Sequence, residues 1–418
     1  MSGDTDTDTD TDTDAGRDTP GRSGADARPD GGVTAGETFE TVDWETIDAE
    51  PAAGLSTAAV LEVVSLGALL GAFCYDYFVI ANERPLIAEW DVTGVEWLFA
   101  TVLVLGAFHI VVPLARNRRM TAYYWRRFRR NRVAVVSMLF LLSMFVIGTF
   151  GPLIWAPPNA TIDYGAAYAP PIFVGGDLAS WDHALGTDAQ GRQLWHLIVY
   201  GMRVSFEIGL IATAMAITLG TFVGAVAAYF GGYVDEALMR YVDLQQTFPV
   251  FILLVLLTYL YGASLLLIIV LYGAFGWEGT ARLVRSEALQ RREEAYIRAA
   301  ESAGASRLWL IRRHLIPNVS STVITAATLS IPVFILGEAS LSFLGFGDPE
   351  TFSWGRTINA GRSDLDSAWW ISTIPGFVLF LTVLAFNFVG DALRDAIDPR
   401  SEGSGSGGGE ETGGGGGL

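Results

Sequence analysis

Few side chains here are of types that do covalent or metal chemistry, and their spacing argues against both. The four histidines, His109, His183, His196 and His314, are scattered, without the short intervals that metal ligation or a histidine–carboxylate pair needs. His-x-x-x-His, Glu-x-x-His and Gly-x-Ser-x-Gly are absent, as is the phosphate-cradling GxxxxGK followed by Ser or Thr. Cys74 is the single cysteine, which excludes an internal disulfide, and in its apolar stretch it reads as a small buried hydrophobe. The expectation is no catalytic residue, no cofactor and no metal. What remains is charge placed for electrostatic or structural work. Glu338 lies inside the apolar run LGEASLSFLGFG, and a carboxylate within a membrane span is a functional-site candidate by default. Arg240 and Asp243, three apart in a helical stretch, are expected to pair. The segment holding Gly186, Thr187, Asp188, Gly191 and Arg192 reads by itself as an external turn with an Asp/Gly cap.

The most organised polar stretch is EAYIRAAESAGASRLWLIRRHLIP, residues 294–317. Ala295 to Ala303 are good helix formers. Gly304 suits the left-handed conformation that ends a helix, and Ser306 is a ready N-cap for the next. Leu308, Ile311 and Leu315 then recur at helical spacing, and Pro317 ends that helix and opens the following span. The small residues Ala299, Ala300, Ala303 and Ala305 flank the turn and let another backbone approach closely. A soluble DNA-binding helix-turn-helix has a similar Ala-x-x-x-Gly pattern. The flanking apolar runs and the acidic balance of the chain argue against nucleic acid.

The elements that must hold these residues are membrane helices. The chain has 418 residues, 51% of them hydrophobic, and a mean hydropathy of +0.36, too apolar for an ordinary soluble domain. The net charge is nevertheless −18, because the acid is concentrated outside the apolar runs. No lysine occurs, so all 27 basic residues are arginine. An acidic, lysine-free chain points to a salt-loving microbe, or to GC-rich codon bias.

Apolar runs fall at 56–80, 95–114, 133–155, 206–230, 250–261, 265–277, 319–343 and 371–389. The fifth and sixth are short, so their helices are expected to extend into the flanks. Asp76 is expected to reach the membrane interface and Glu62 to face another helix. The fold class is therefore an all-α membrane protein, a polytopic helical bundle of about eight transmembrane helices. Residues 1–54 form an acidic tail without the start of a signal peptide, and 401–418 a Gly-rich tail; both are expected to be disordered. Residues 55–114 hold a two-helix hairpin, and 115–132 a basic segment whose aromatics fit an interfacial amphipathic helix. Short Arg-rich segments at 116–132 and 282–313 mark the cytoplasmic side, and eight spans then place both termini there.

Residues 294–317 resemble the loop of permease subunits of binding-protein-dependent ABC importers, which reads Glu-Ala-Ala, three residues, Gly, nine residues, Ile-x-Leu-Pro. Ala299, Ala300, Gly304 and Pro317 fall in register, whereas Arg298 stands at the Glu, His314 at the Ile and Ile316 at the Leu. HALGTDAQGRQLWHLIVYGMRVS, residues 183–205, is similar to the signature of the dipeptide, oligopeptide and nickel branch, with Gln193 replacing the usual Asp. Arg240 and Asp243 in GGYVDEALMRYVDLQQTFP, and Ser353-Trp354-Gly355-Arg356, match the same branch.

The resemblance covers residues 124–400 and implies a six-helix permease core within 133–400, with the hairpin 55–114 outside it. It implies that residues 294–317 couple to an ATPase, and that Glu338 serves packing or gating. The chain would perform no chemistry itself. Its partners would be a second, related permease in a heterodimer, two ABC ATPase subunits, an extracellular solute-binding protein and membrane lipid. The cargo would be a peptide or nickel, translocated across the cytoplasmic membrane by alternating access. A permease for another small solute, an intramembrane enzyme and a non-transporting membrane scaffold are the competing readings.

Overall fold

The computed structural model describes residues 56–80 and 92–397. The acidic tail, residues 81–91 of the first connection and the Gly-rich tail lie outside the described residues. The described residues are helical, with one isolated antiparallel bridge between Thr187 and Gln193 and no strand.

Among the described residues, seven helical segments are long and apolar enough to cross a membrane: Thr57–Val79, Gly94–Arg116, Arg132–Leu153, Leu194–Phe230, Leu265–Arg292, Ser320–Phe343 and Trp370–Ile397. The main helices are α1 (Thr57–Tyr75), α2 (Gly94–Gly106), α3 (Arg118–Phe128), α4 (Arg132–Phe150) and α5 (Leu194–Phe230). They continue as α6 (Gly232–Thr247), α7 (Val250–Tyr261), α8 (Leu265–Phe275), α9 (Glu278–Arg292), α10 (Ala295–Ser302) and α11 (Arg307–Leu310). The last three are α12 (Ser320–Phe343), α13 (Trp354–Ala360) and α14 (Trp370–Ile397). The pair α6 and α7, bent by 69°, is long and apolar enough together to be an eighth. The bend has a local cause. Pro249 cannot donate to a helical ladder and holds the residue before it out of the helical region, and Phe248 is extended, with φ −82° and ψ 126°. The two short apolar runs do draw on their flanks, one through α6, the other through α9.

α5 is the organising helix. It packs against α4, α8, α9 and α12, and its interior residues run from Leu194 to Tyr229. It starts at Leu194 rather than at Phe206. Arg203 and Glu207 interrupt the apolar pattern there, but they sit one turn apart and bond to each other at 3.0 Å, so the helix passes through them.

Small residues let α5 approach its neighbours. A Cβ on Gly220 would lie 2.7 Å from the Trp277 carbonyl oxygen, and one on Gly224 2.4 Å from that of Ala281. That repeat of small residues four apart is a close-packing device for helices in lipid.

The N-terminal hairpin joins this core through α2, which packs on α5; Phe99 meets Phe145 of α4 with ring centroids 6.4 Å apart. Glu62 faces His109, 3.5 Å away. Asp76 lies one turn from the end of its span. It is buried, and Trp97 Nε1 donates to it at 3.0 Å, because an apolar helix end gives the carboxylate no better partner than the indole of the adjacent helix.

Candidate functional site

The turn of the polar hairpin is built as the residue types predict. α10 ends at Gly304, where φ is +86°; Ala305 N–H donates to the Ala300 carbonyl at 3.1 Å and Gly304 N–H to that of Glu301 at 3.0 Å. Ser306 is extended and starts α11, but through its carbonyl alone, since its hydroxyl makes no cap bond. Beyond α11 the chain runs through a widened π turn at Ile311–Leu315 and a short turn at Ile316–Asn318 directly into α12. Pro317 occupies the first turn of that last piece, where a missing N–H costs nothing.

One face of the hairpin is anchored. Ile297, Leu310, Ile311, Leu315 and Val319 form a cluster with Ala225, Ala228 and Tyr229 of α5 and Val284 and Ala288 of α9. Tyr229 donates its hydroxyl to Glu301 at 2.8 Å, and Arg292 donates to the Ala228 carbonyl at 3.1 Å. Arg298 donates to the Glu293 carbonyl at 3.1 and 2.5 Å, closing the end of α9. The opposite face is open. Ala299, Ala303 and Gly304 are exposed, Leu308 is 66% and Trp309 48% exposed, and an added Cβ at Gly304 would have no atom within 4 Å.

Leu308 is therefore not part of the buried stripe; Leu310 takes that place, because the π turn rotates the register after α11. Ala300 and Ala305 are half-buried against the anchor cluster, while Ala299 and Pro317 are exposed.

The second feature is a folded loop ahead of α5. Gly186 has φ +85° and Gly191 +73°. A Cβ on Gly191 would lie 1.7 Å from the Asp163 carbonyl oxygen. Thr187 Oγ1 donates to the Ala166 carbonyl at 2.5 Å and accepts from Ala169 N–H at 2.8 Å. Asp188 is the hub: its Oδ1 accepts from the N–H groups of Gln190 and Arg192, both at 2.9 Å, and its Oδ2 accepts from Arg192 Nε at 2.6 Å.

Two distant tryptophans lock the loop and the start of α5. Trp370 Nε1 donates to the Thr187 carbonyl and Trp354 Nε1 to that of Ile198, both at 3.0 Å. Trp354 fills the notch left by Gly201, where a Cβ would lie 2.2 Å from its ring. Arg192 and Arg356 both stack on the Phe352 ring, at 5.5 and 5.6 Å from its centroid. Burial and the neighbouring Arg192 hold the Arg356 guanidinium below its ordinary pKa. Trp370, Phe352 and Asp163 were not singled out from sequence; of these, only the aromatic pair at 369–370, opening an apolar run, gave a signal.

Glu338 is buried and accepts from Ser342 Oγ at 2.6 Å. It stands where helices crowd. The Tyr272 hydroxyl lies over Gly337, 2.1 Å from where a Cβ would be, and Gly355 of α13 presses on the Ala339 carbonyl at 2.1 Å by the same measure.

Arg240 and Asp243 do not pair. Asp243 meets Arg282 of α9, and Arg240, largely exposed, lies 3.7 Å from Glu236. Two turns earlier Asp235 holds Arg285 through two bonds of 2.5 Å. Positions 235 and 243 share the face of α6 that lies against α9, so cross-helix partners win over the local one.

Residues 194–403 match the family described as binding-protein-dependent transport system inner membrane component, and 120–171 match the N-terminal TM domain of oligopeptide transport permease C. The chain is 36% identical over 276 residues to the oligopeptide transport system permease protein of Haemophilus influenzae, covering 66% of this chain and 87% of that protein. The chain belongs to this family. It is the membrane-spanning permease component of a binding-protein-dependent transport system, and membership implies an ATPase and a substrate-binding protein as partners. The permease is also 36% identical over 280 residues to the dipeptide transport system permease protein of Bacillus subtilis, covering 66% of this chain and 84% of that protein. It is 34% identical over 303 residues to the glutathione transport system permease protein of Escherichia coli O157:H7, covering 72% and 97%.

Proposed function

We propose that this permease is one half of a heterodimeric peptide importer in the cell membrane. Its hairpin, 294–317, is the point where a partner ATPase engages, and both termini lie on the ATPase side. Two ATPase subunits supply the work, the chain itself catalyses nothing, and a solute-binding protein delivers cargo on the opposite face. The observation that carries this reading is the two-sided hairpin. One face is bonded into the ends of α5 and α9, and the other presents small and apolar side chains around an open Gly304. Movement of a docked partner is thereby transmitted to α5, which runs the length of the bundle.

Peptide is favoured over nickel as cargo because the relatives are named for oligopeptide, dipeptide and glutathione transport. The test is uptake of a labelled dipeptide and a labelled oligopeptide by vesicles holding the assembled transporter, with nickel and a sugar as competitors. ATP-dependent peptide uptake, undiminished by nickel, is expected. Uptake of nickel or sugar alone contradicts the peptide assignment while leaving the permease assignment intact.

A further inference from the structure

We infer that α3 and the turn after it form a binding site for the phosphate headgroups of anionic phospholipids. Residues 116–132 contain eight of the chain's 27 basic residues and no acid, in a protein whose net charge is −18. α3 lies between the spans Gly94–Arg116 and Arg132–Leu153, so both of its ends meet the same membrane face, whichever way the protein is oriented. The helix is two-sided. Arg118, Arg119 and Arg126 fall on one arc, and Met120, Tyr124, Trp125 and Phe128 on the other, while Arg129 and Arg130 lie in the turn that follows. Phe128 is buried against Ala134, Ala392 and Ala396, which fixes the helix to α14. Met120 and Trp125 on that apolar arc, and Tyr123 beside it, remain exposed, as for side chains lying at the lipid boundary.

Two cavities open between the arginines. One, of about 330 Å³, is lined by Tyr123, Arg126, Arg127, Arg129 and Arg130. The other, of about 250 Å³, is lined by Arg127, Phe128, Arg130, Asn131, Ala392, Ala396 and one carboxylate, Asp395. Arg127 is held by the Tyr123 hydroxyl at 3.1 Å. Among the described residues nothing accepts a hydrogen bond or forms an ion pair with the side chains of Arg126, Arg129 or Arg130. Planar guanidinium groups lining a polar cavity at a membrane surface match the paired non-bridging oxygens of a phosphodiester. Placement at the lipid boundary selects the lipid-borne phosphate over a free one.

The test uses the full chain in a neutral detergent at low ionic strength. It is titrated with phosphatidylglycerol or with phosphatidylcholine of the same acyl chains, and bound lipid is counted by native mass spectrometry. The wild type is expected to retain phosphatidylglycerol preferentially. A charge near an anionic surface is worth about fivefold, so the R126Q/R129Q/R130Q variant should lower that preference at least about tenfold. The corresponding triple Lys variant should keep most of it, and R312Q/R313Q, on the hairpin's exposed side, should leave it unchanged. Equal retention of the two lipids by the wild type, or an unchanged preference in the Gln variant, overturns the proposal. An equal fall in R312Q/R313Q also overturns it, because the attraction is then diffuse. Displacement of the lipid by millimolar inorganic phosphate would assign the site to a free anion instead. A preference that appears only after residues 1–54 are removed would make the acidic tail the native occupant.

Discussion

At the residue scale, the motifs of the loop ahead of α5 and of the start of that helix are packing chemistry. Gly201 exists to admit Trp354, and Gly191 to admit the Asp163 backbone. Gly201→Ala should therefore overpack the Trp354 notch and cost about 1–3 kcal/mol, and Trp354→Ala should cost about 3–5 kcal/mol through the cavity it leaves. Both are read as a lower unfolding temperature of the detergent-purified protein. An unchanged transition for Trp354→Ala would mean that the start of α5 is not locked as described. Asp188→Asn keeps the shape but removes the charge that Arg192 and two backbone N–H groups share. A loss of about 1–3 kcal/mol is expected, with a smaller further loss when Arg192 is changed in the same chain, since the two form one unit.

At the element scale, the N-terminal hairpin is tied into the core. Glu96 of α2 and Glu207 of α5 both engage Arg203, and all three side chains are largely buried. Breaking a buried pair from one side is costly, about 3–5 kcal/mol. Deleting residues 1–114 should thus lower the unfolding temperature of the purified permease, whereas deleting residues 1–54 should leave it and transport unchanged. Equal stability of the two truncations would show α1 and α2 to be a detachable addition.

The helices themselves were largely legible. Runs of apolar residues do not depend on neighbours, so their number, and the need of the two short runs to draw on their flanks, were readable from composition; the bend at Pro249 was not. The start of α5 was not, because Arg203 and Glu207 look like a loop until their mutual bond is seen. Nor were the partners of Asp243, Asp235 and Asp76, which are chosen by the adjacent helix rather than by sequence distance. The hairpin's turn was legible at Gly304, but its register beyond α11 depends on a π turn that no residue type announces.

At the scale of the whole molecule, the proposed orientation places the arginine segments in the cytoplasm. In a Cys74→Ala background, a membrane-impermeant thiol reagent added to sealed cells should label Ser363→Cys and not Ser302→Cys; both positions are exposed in the fold. Labelling of Ser302→Cys would invert the topology and place the hairpin on the wrong side for an ATPase.

The central claim is that the open face of residues 294–317 receives the ATPase while the other face stays locked to α5 and α9. Gly304→Val places a β-branched residue at φ +86°, and Ala303→Trp adds bulk to the exposed face without entering the anchor cluster. The measurement is co-purification of the ATPase with each variant permease, alongside ATP-dependent uptake. Both variants should insert and purify normally, recover less ATPase and lose uptake. Wild-type recovery and uptake in both would contradict the account and reduce the hairpin to a connector between spans.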